Sequence, residues 1–199
     1  MVPNLQSIVG VAAGVALSIC LTSPSAALEG AEVRICFDYA CAHEATAHFD
    51  APTLEAASRF MTAASGAADE RERVAMVMAQ FYGLAGRQTP IWRDRGGNRF
   101  DNTDLPGAMD CLDHTANTTT FLRLLQQAGA LRFHRVGEPL RRVRFLVAEH
   151  WSAQIIEAAT GEQFAVDTWY FDPGTPALVV PIQAWRDGDL PLPAKVRAP

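Results

Sequence analysis

Lysine is almost missing from this chain: of its 17 basic residues, Lys195 is the one lysine and the rest are arginine. We read that as the arginine bias of a high-GC bacterial genome rather than as chemistry. Positive charge is short overall. Against 22 acidic residues the net charge is −5, which argues against a nucleic-acid partner bound by bulk electrostatics. No apolar run reaches the roughly 20 residues that a membrane span requires. Internal repeats and an inter-domain linker are missing too. The 14 Gly and 12 Pro follow no period, which excludes collagen-like and low-complexity chains. What remains is ordinary. Hydrophobic residues make up 49% and charged residues 20% of 199, so one domain with a short appendage can bury a core.

The appendage is read at the start. Residues 7–21, from Ser7 to Leu21, are uncharged and almost wholly apolar. Thr22 to Ala27 follow, with small residues at Ser25 and Ala27, the small-x-small pattern of a secretory cleavage site. The expected cut falls after Ala27, so the mature chain begins at Leu28. The segment before the apolar run carries no Lys or Arg, so an uncleaved anchor and a buried helix stand as alternatives. Cys20 follows Ile19 where a lipoprotein would want a small residue. The chain is therefore expected in the periplasm or secreted, with no membrane span after cleavage.

Export makes the cysteines informative. Cys36, Cys41 and Cys111 remain after Cys20 is removed. Oxidising compartments pair thiols. Four residues separate Cys36 from Cys41, and a tight loop can bring their Cα atoms within disulfide range. A disulfide is expected there. Two reduced cysteines, or a metal held by Cys36, Cys41, His43 and His48, are the alternatives. Cys111 is then odd, either a buried hydrophobe or a reactive thiol.

The periodicities give a strand over 32–38, a helix over 52–65 and a second helix over 69–84. In the second, Val74, Val77, Met78 and Phe81 make an amphipathic face. Residues 86–110 read as an irregular loop bearing Asp101, Asp104 and Asp110. An EF-hand register from Asp101 fails, because Leu105 and Leu112 fall where oxygen ligands are needed; a non-standard calcium site over 101–113 stays open. A third helix runs from Asp110 to about Ala128 and stops at Gly129. Its Asn117-Thr118-Thr119-Thr120 centre is a poor helix former and calls for tertiary support. Apolar or alternating segments follow at 131–136, 143–148, 153–156, 164–170 and 178–182. Helices first and antiparallel strands later make an α+β layout.

Chemistry concentrates at the third helix. Asp110 and Asp113 fit an N-cap and its capping box, which puts Cys111 in the first turn. The helix N-terminus stabilises a thiolate there, and the two carboxylates oppose it. His114 shares the helix face and is one candidate base. His150 opens a later strand, and Val166-Asp167-Thr168 lies on its expected partner. A two-residue turn at Thr160-Gly161 would set His150 opposite Phe171, with Asp167 roughly 13 Å along the same face. A turn at Ala158-Ala159, or a bulge, would set His150 opposite Asp167 directly. Either register keeps both side chains on one face.

Cys111 at a helix start, His150 opening a strand and Asp167 on the next resemble the Cys-His-Asp triad of the transglutaminase-like superfamily. The nearest branch is the bacterial transglutaminase-like cysteine proteinases, and Asp110-Cys111-Leu112-Asp113-His114 is similar to that branch's Asp-Cys-x-Asp segment. Met109 stands where relatives often carry glycine, with Gly107 displaced. The resemblance implies a papain-like fold over residues 28–190, ahead of a loose tail at 191–199: N-terminal helices and a cysteine-bearing central helix on an antiparallel sheet. It also implies a cysteine peptidase or amidase in which Cys111 forms a thioester, His150 moves the proton and Asp167 orients the imidazole. The expected substrate is an amide of a protein, peptide or peptidoglycan. No cofactor is called for beyond the open calcium question. The Cys111 N–H is one expected oxyanion donor, with Gln88, Trp92, Asn98 or Asn102 as the second. Trp151 and Trp169 are candidate cleft walls. The alternative is a catalytically silent module that binds peptide or cell-wall fragments, or a metal- or calcium-regulated interaction protein.

Overall fold

The first strand is not alone. β1 (Ala31–Phe37) pairs antiparallel with β2 (His43–Phe49), in register from Ala31 opposite Phe49 to Phe37 opposite His43. The computed structural model describes residues 29–97, 105–144 and 148–192. The expected leader and its cleavage site, Asp101, Asp104, Asn98, Asn102 and most of the expected tail lie outside these. β2 escapes a periodicity reading because its sequence is rich in His, Glu and Ala, and Ala47 and Phe49 are its buried positions.

Helices follow the hairpin. α1 (Ala51–Thr62) starts where the Asp50 carboxylate accepts the Thr53 N–H and Pro52 supplies a preset φ in the first turn. α2 (Ala67–Gly86) lays Val74, Val77, Met78 and Phe81 into the core as the spacing requires. A short 3-10 helix, Pro90–Arg93, interrupts the region read as irregular. α3 (Cys111–Gln127) ends as expected, with Gly129 at φ +66, open to glycine at no steric penalty.

α3 touches both sheets, packing on β1 and on the five-stranded sheet. That sheet holds β3 (His134–Val136), β4 (Leu140–Arg144), β5 (Ala148–Glu157), β6 (Gln163–Asp167) and β7 (Leu178–Pro181), in the order β3-β5-β6-β7 with β4 also on β5; every pair is antiparallel. The architecture is α+β, with a hairpin ahead of the helices and a short closing helix, α4 (Ile182–Asp187), that the sequence reading does not contain.

Polar residues at the centre of α3 are explained by what they touch. Asn117 accepts the Cys36 N–H at 2.8 Å and donates to the Cys36 carbonyl at 2.9 Å, while Thr118 and Thr119 are buried. At Asn117 and Thr118 the helix gives up propensity and gains tertiary hydrogen bonds, while the buried Thr119 hydroxyl has no hydrogen-bond partner among the described residues. Ala153, Ile155, Phe164 and Val166 join the main core with Phe49, Phe81 and Phe121. Ala165, Leu178 and Val180 alternate to a second cluster around Trp185. No helix among the described residues is long and apolar enough to cross a membrane.

Candidate active site

The Cys111 position is built by local rules. The Asp110 carboxylate accepts the N–H groups of Leu112 (3.0 Å) and Asp113 (2.9 Å), and Asp113 accepts the Asp110 N–H at 3.2 Å. This is the expected capping box, and it puts half-buried Cys111 at the first helical position. Burial pushes the thiol above its usual range. The Trp151 backbone N–H, donated to the sulfur, pulls it back down, and the charges of Asp110 and Asp167 push it up again. Trp151 pairs with Arg141 of β4 and lies past the end of the β5–β6 ladder, which covers Ala153–Ile156, so its backbone N–H is left to act on the thiol.

His150 and Asp167 meet directly. The imidazole Nε2–H donates to Asp167 Oδ2 at 2.7 Å, with the two side chains 9% and 1% exposed. The register lies midway between the two expected ones. Ala153 pairs with Val166 across a four-residue loop, Ala158–Gly161, closed by Glu157 N–H on the Glu162 carbonyl (2.8 Å) and Gly161 N–H on the Glu157 carbonyl (2.9 Å). Continued outward, it sets Asp167 across from Ser152 and leaves His150 as its diagonal neighbour, within reach of a histidine. Neither a two-residue turn at Thr160-Gly161 nor one at Ala158-Ala159 forms, because Gly161 at φ +76 closes a longer loop.

The pair is braced. Trp185 Nε1–H donates to Asp167 Oδ2 at 2.8 Å, and the Trp169 N–H donates to Oδ1 at 3.2 Å. Rings of Trp169, Tyr170 and Trp185 lie 4.7, 5.6 and 5.7 Å from the imidazole centroid. Burial and the Asp167 charge push Tyr170 up to about 12, so its hydroxyl stays protonated and donates no charge. The Nδ1 nitrogen of His150 has no hydrogen-bond partner among the described residues.

Cys36 and Cys41 are disulfide-bonded, as expected, with Cα atoms 4.6 Å apart. Their sulfurs are therefore not metal ligands, and His43 and His48 pair instead with Asp38 (2.9 Å) and Glu32 (2.8 Å). Within the loop, Asp38, Tyr39, Ala40 and Cys41 all have positive φ, from 52 to 67. For residues other than glycine this costs about 1–2 kcal/mol each. Offsetting bonds run to the start of α3. Tyr39 N–H (2.9 Å) and Cys41 N–H (2.6 Å) donate to Asp113, and Ala40 N–H donates to Asp110 at 3.1 Å. Burial pushes Asp113 up to about 6 against these bonds. Every carboxylate oxygen of Asp110 and Asp113 thus accepts a backbone N–H, an arrangement that does not fit a calcium ion on these two residues.

His114 is not a base for Cys111. Its Nε2 meets Asp94 at 3.1 Å and its Nδ1 meets Thr168 Oγ1 at 2.9 Å, in a buried network with Thr118 and Tyr82. Asp94 in turn accepts the Met109 N–H at 2.8 Å, which fixes the residue two before Cys111. Sequence reasoning missed Asp94, Thr168 and Trp185 as supports; the Thr run in α3 was the one signal that a polar network was needed. Of the second oxyanion candidates, Gln88 is committed to the His48 backbone of β2 (2.8 and 2.9 Å) and Trp92 is 57% exposed on the 3-10 helix. Trp169 packs on the imidazole, and Trp151 is half-buried, its indole N–H on Glu149 at 2.5 Å.

No protein-family model matches the chain, and no curated protein or solved structure matches it either.

Proposed function

We propose that this chain is an exported cysteine-dependent acyl-transfer enzyme, a peptidase or amidase of transglutaminase-like, papain-like design. The observation that carries the reading is the His150–Asp167 bond through Nε2, which leaves Nδ1 with no partner among the described residues, together with a helix-start thiol influenced by the backbone N–H of Trp151, the next residue, and by the charge of Asp167. The thiol thus feels both the backbone next to His150 and the carboxylate that His150 binds, which supports a Cys111–His150 pairing.

The chemistry follows from these positions. The Cys111 sulfur attacks an acyl carbon while its proton passes to His150 Nδ1. The tetrahedral oxyanion is met by the Cys111 N–H at the helix start. Collapse returns the His150 proton to the leaving amine and leaves a thioester. Water or a second amine then attacks the thioester, again with His150 as base, and the thiol is regenerated. Asp167 holds the Nε2–H tautomer and supports the imidazolium, and Trp185 and Trp169 hold Asp167. Because burial and two carboxylates disfavour a lone thiolate, ionised Cys111 is expected only as the partner of imidazolium. The disulfide agrees with export to an oxidising compartment, periplasmic or extracellular.

Hydroxylamine traps acyl thioesters as hydroxamates. Incubation with a panel of acylated peptide amides and peptidoglycan fragments should yield hydroxamate that depends on Cys111 and vanishes in Cys111→Ala. Tight binding of a panel member without hydroxamate or hydrolysis would replace the enzyme with a silent peptide- or cell-wall-binding module.

A further inference from the structure

We propose that the Cys36–Cys41 loop is a positioning element for the Cys111 thiol, and that reducing its disulfide slows the thiol's chemistry. The inference rests on the reading of Cys111 as nucleophile. Four consecutive non-glycine residues with positive φ do not persist unless held. Here the disulfide ties the run to β1, and Asp38 anchors it: its N–H donates to the Ala108 carbonyl at 2.7 Å and its carboxylate accepts the Gly107 N–H at 2.6 Å. Gly107 itself has φ +94, and a Cβ there would collide with the Pro90 carbonyl. The loop is thereby fastened to the segment that leads into Cys111.

Successive N–H groups of a tight turn converge on anions. The anions here are the carboxylates on either side of the nucleophile, Asp110 and Asp113. These bonds hold in place the two carboxylates that cap the helix at Cys111. The charged groups acting on the thiol are Asp110 on its own helix and Asp167 on β6, with Asp113 in the same helical turn and His150 on β5 as the proposed counter-charge. Releasing the loop removes three N–H donors from the two capping carboxylates, so the helix start that holds Cys111 loosens and the thiol loses its fixed place relative to its proposed counter-charge.

Reduction by a dithiol transfers two electrons and two protons to the Cys36–Cys41 bond, gives two thiols and leaves the reductant as its own disulfide. An exported chain forms the bond only where the compartment oxidises it. The thiol would stay quiet until then.

The test follows iodoacetamide labelling of Cys111, read by peptide mass, in the full chain before reduction, after reduction and desalting, and after re-oxidation. The double variant Cys36→Ser/Cys41→Ser is run beside it. The expected result is labelling about tenfold slower at pH 7 in the reduced chain and the variant, with the pH midpoint raised by about one unit. Re-oxidation restores the rate, and amide exchange at Tyr39, Ala40 and Cys41 rises on reduction. If the variant does not fold, the reduced natural chain supplies the comparison. An equal or faster rate in the reduced chain overturns the loop's role while Cys111 stands as nucleophile. A Cys111 inert even in the oxidised chain overturns the nucleophile, and the loop's role with it.

Discussion

Among the described residues two buried histidine–aspartate pairs differ in how their ring nitrogens are spent. His150–Asp167 and His114–Asp94 have similar bonds, 2.7 and 3.1 Å, and similar burial. His114 has both ring nitrogens committed, to Asp94 and Thr168, whereas His150 spends Nε2 alone. A third buried histidine, His134, uses Nδ1 on Glu70 (2.9 Å) and receives Arg71 at Nε2 (3.3 Å). Burial pushes Glu70 up, yet the bonds from His134, Arg132 and Phe133 hold it below its usual range, as suits a structural anchor. Two imidazoles are thus locked and one is open. An imidazole with a spare nitrogen beside a thiol can carry protons; one hydrogen-bonded at both ends is part of the scaffold.

The comparison breaks most sharply at His150. His150→Ala should lower thioester formation about 10²- to 10⁴-fold, the usual contribution of a positioned acid–base group. Hydroxamate trapping reads it. His114→Ala should act on the fold instead. It removes one hydrogen bond from the buried Asp94 carboxylate, at a cost of about 2 kcal/mol, roughly 30-fold in the folding equilibrium. Urea unfolding measures that loss, and the pH midpoint of Cys111 labelling should not move. Asp167→Asn should slow labelling at pH 7 about tenfold, one unit of lost imidazolium support. Removing Asp167 also lifts a charge that opposes the thiolate, but the imidazole is 2.7 Å away in direct hydrogen bond, so the loss prevails. The smallest effect belongs to Trp185→Phe, which keeps the buried ring and deletes the N–H on Asp167. One neutral-donor hydrogen bond is worth about 1 kcal/mol, or about fivefold in rate.

Parts of this were legible in the sequence because they are local. The capping box Asp110–Asp113 puts Cys111 at a helix start by spacing alone, and five positions suffice to close Cys36 on Cys41. The α+β class and most strands follow from hydrophobic period. The alternation of β5 and β6 keeps His150 and Asp167 on one face in any register considered. The register itself was not legible, since Gly161 can close a two-residue turn or the four-residue loop observed. His114, three residues from Cys111, looks as good a base as His150 until Asp94 and Thr168, distant in the chain, are found on its two nitrogens. The role of the disulfide loop is hidden for a different reason. It works through the N–H groups of Tyr39, Ala40 and Cys41, and side-chain identity says nothing about where a left-handed backbone points them.

The pH dependence of Cys111 labelling by iodoacetamide, in the natural chain and in His150→Ala, tests the central claim most directly. Burial, Asp110 and Asp167 raise the thiol, and a raised thiol holds its proton to higher pH. Without imidazole the midpoint should therefore lie above the free-thiol value of about 8.5. With His150 present, the thiol can ionise as half of an ion pair, and labelling should persist to mildly acidic pH, well below the free-thiol value of about 8.5. The account predicts that acid-side labelling in the natural chain and its loss in His150→Ala. A single midpoint above the free-thiol value of about 8.5, the same in both proteins, would contradict it.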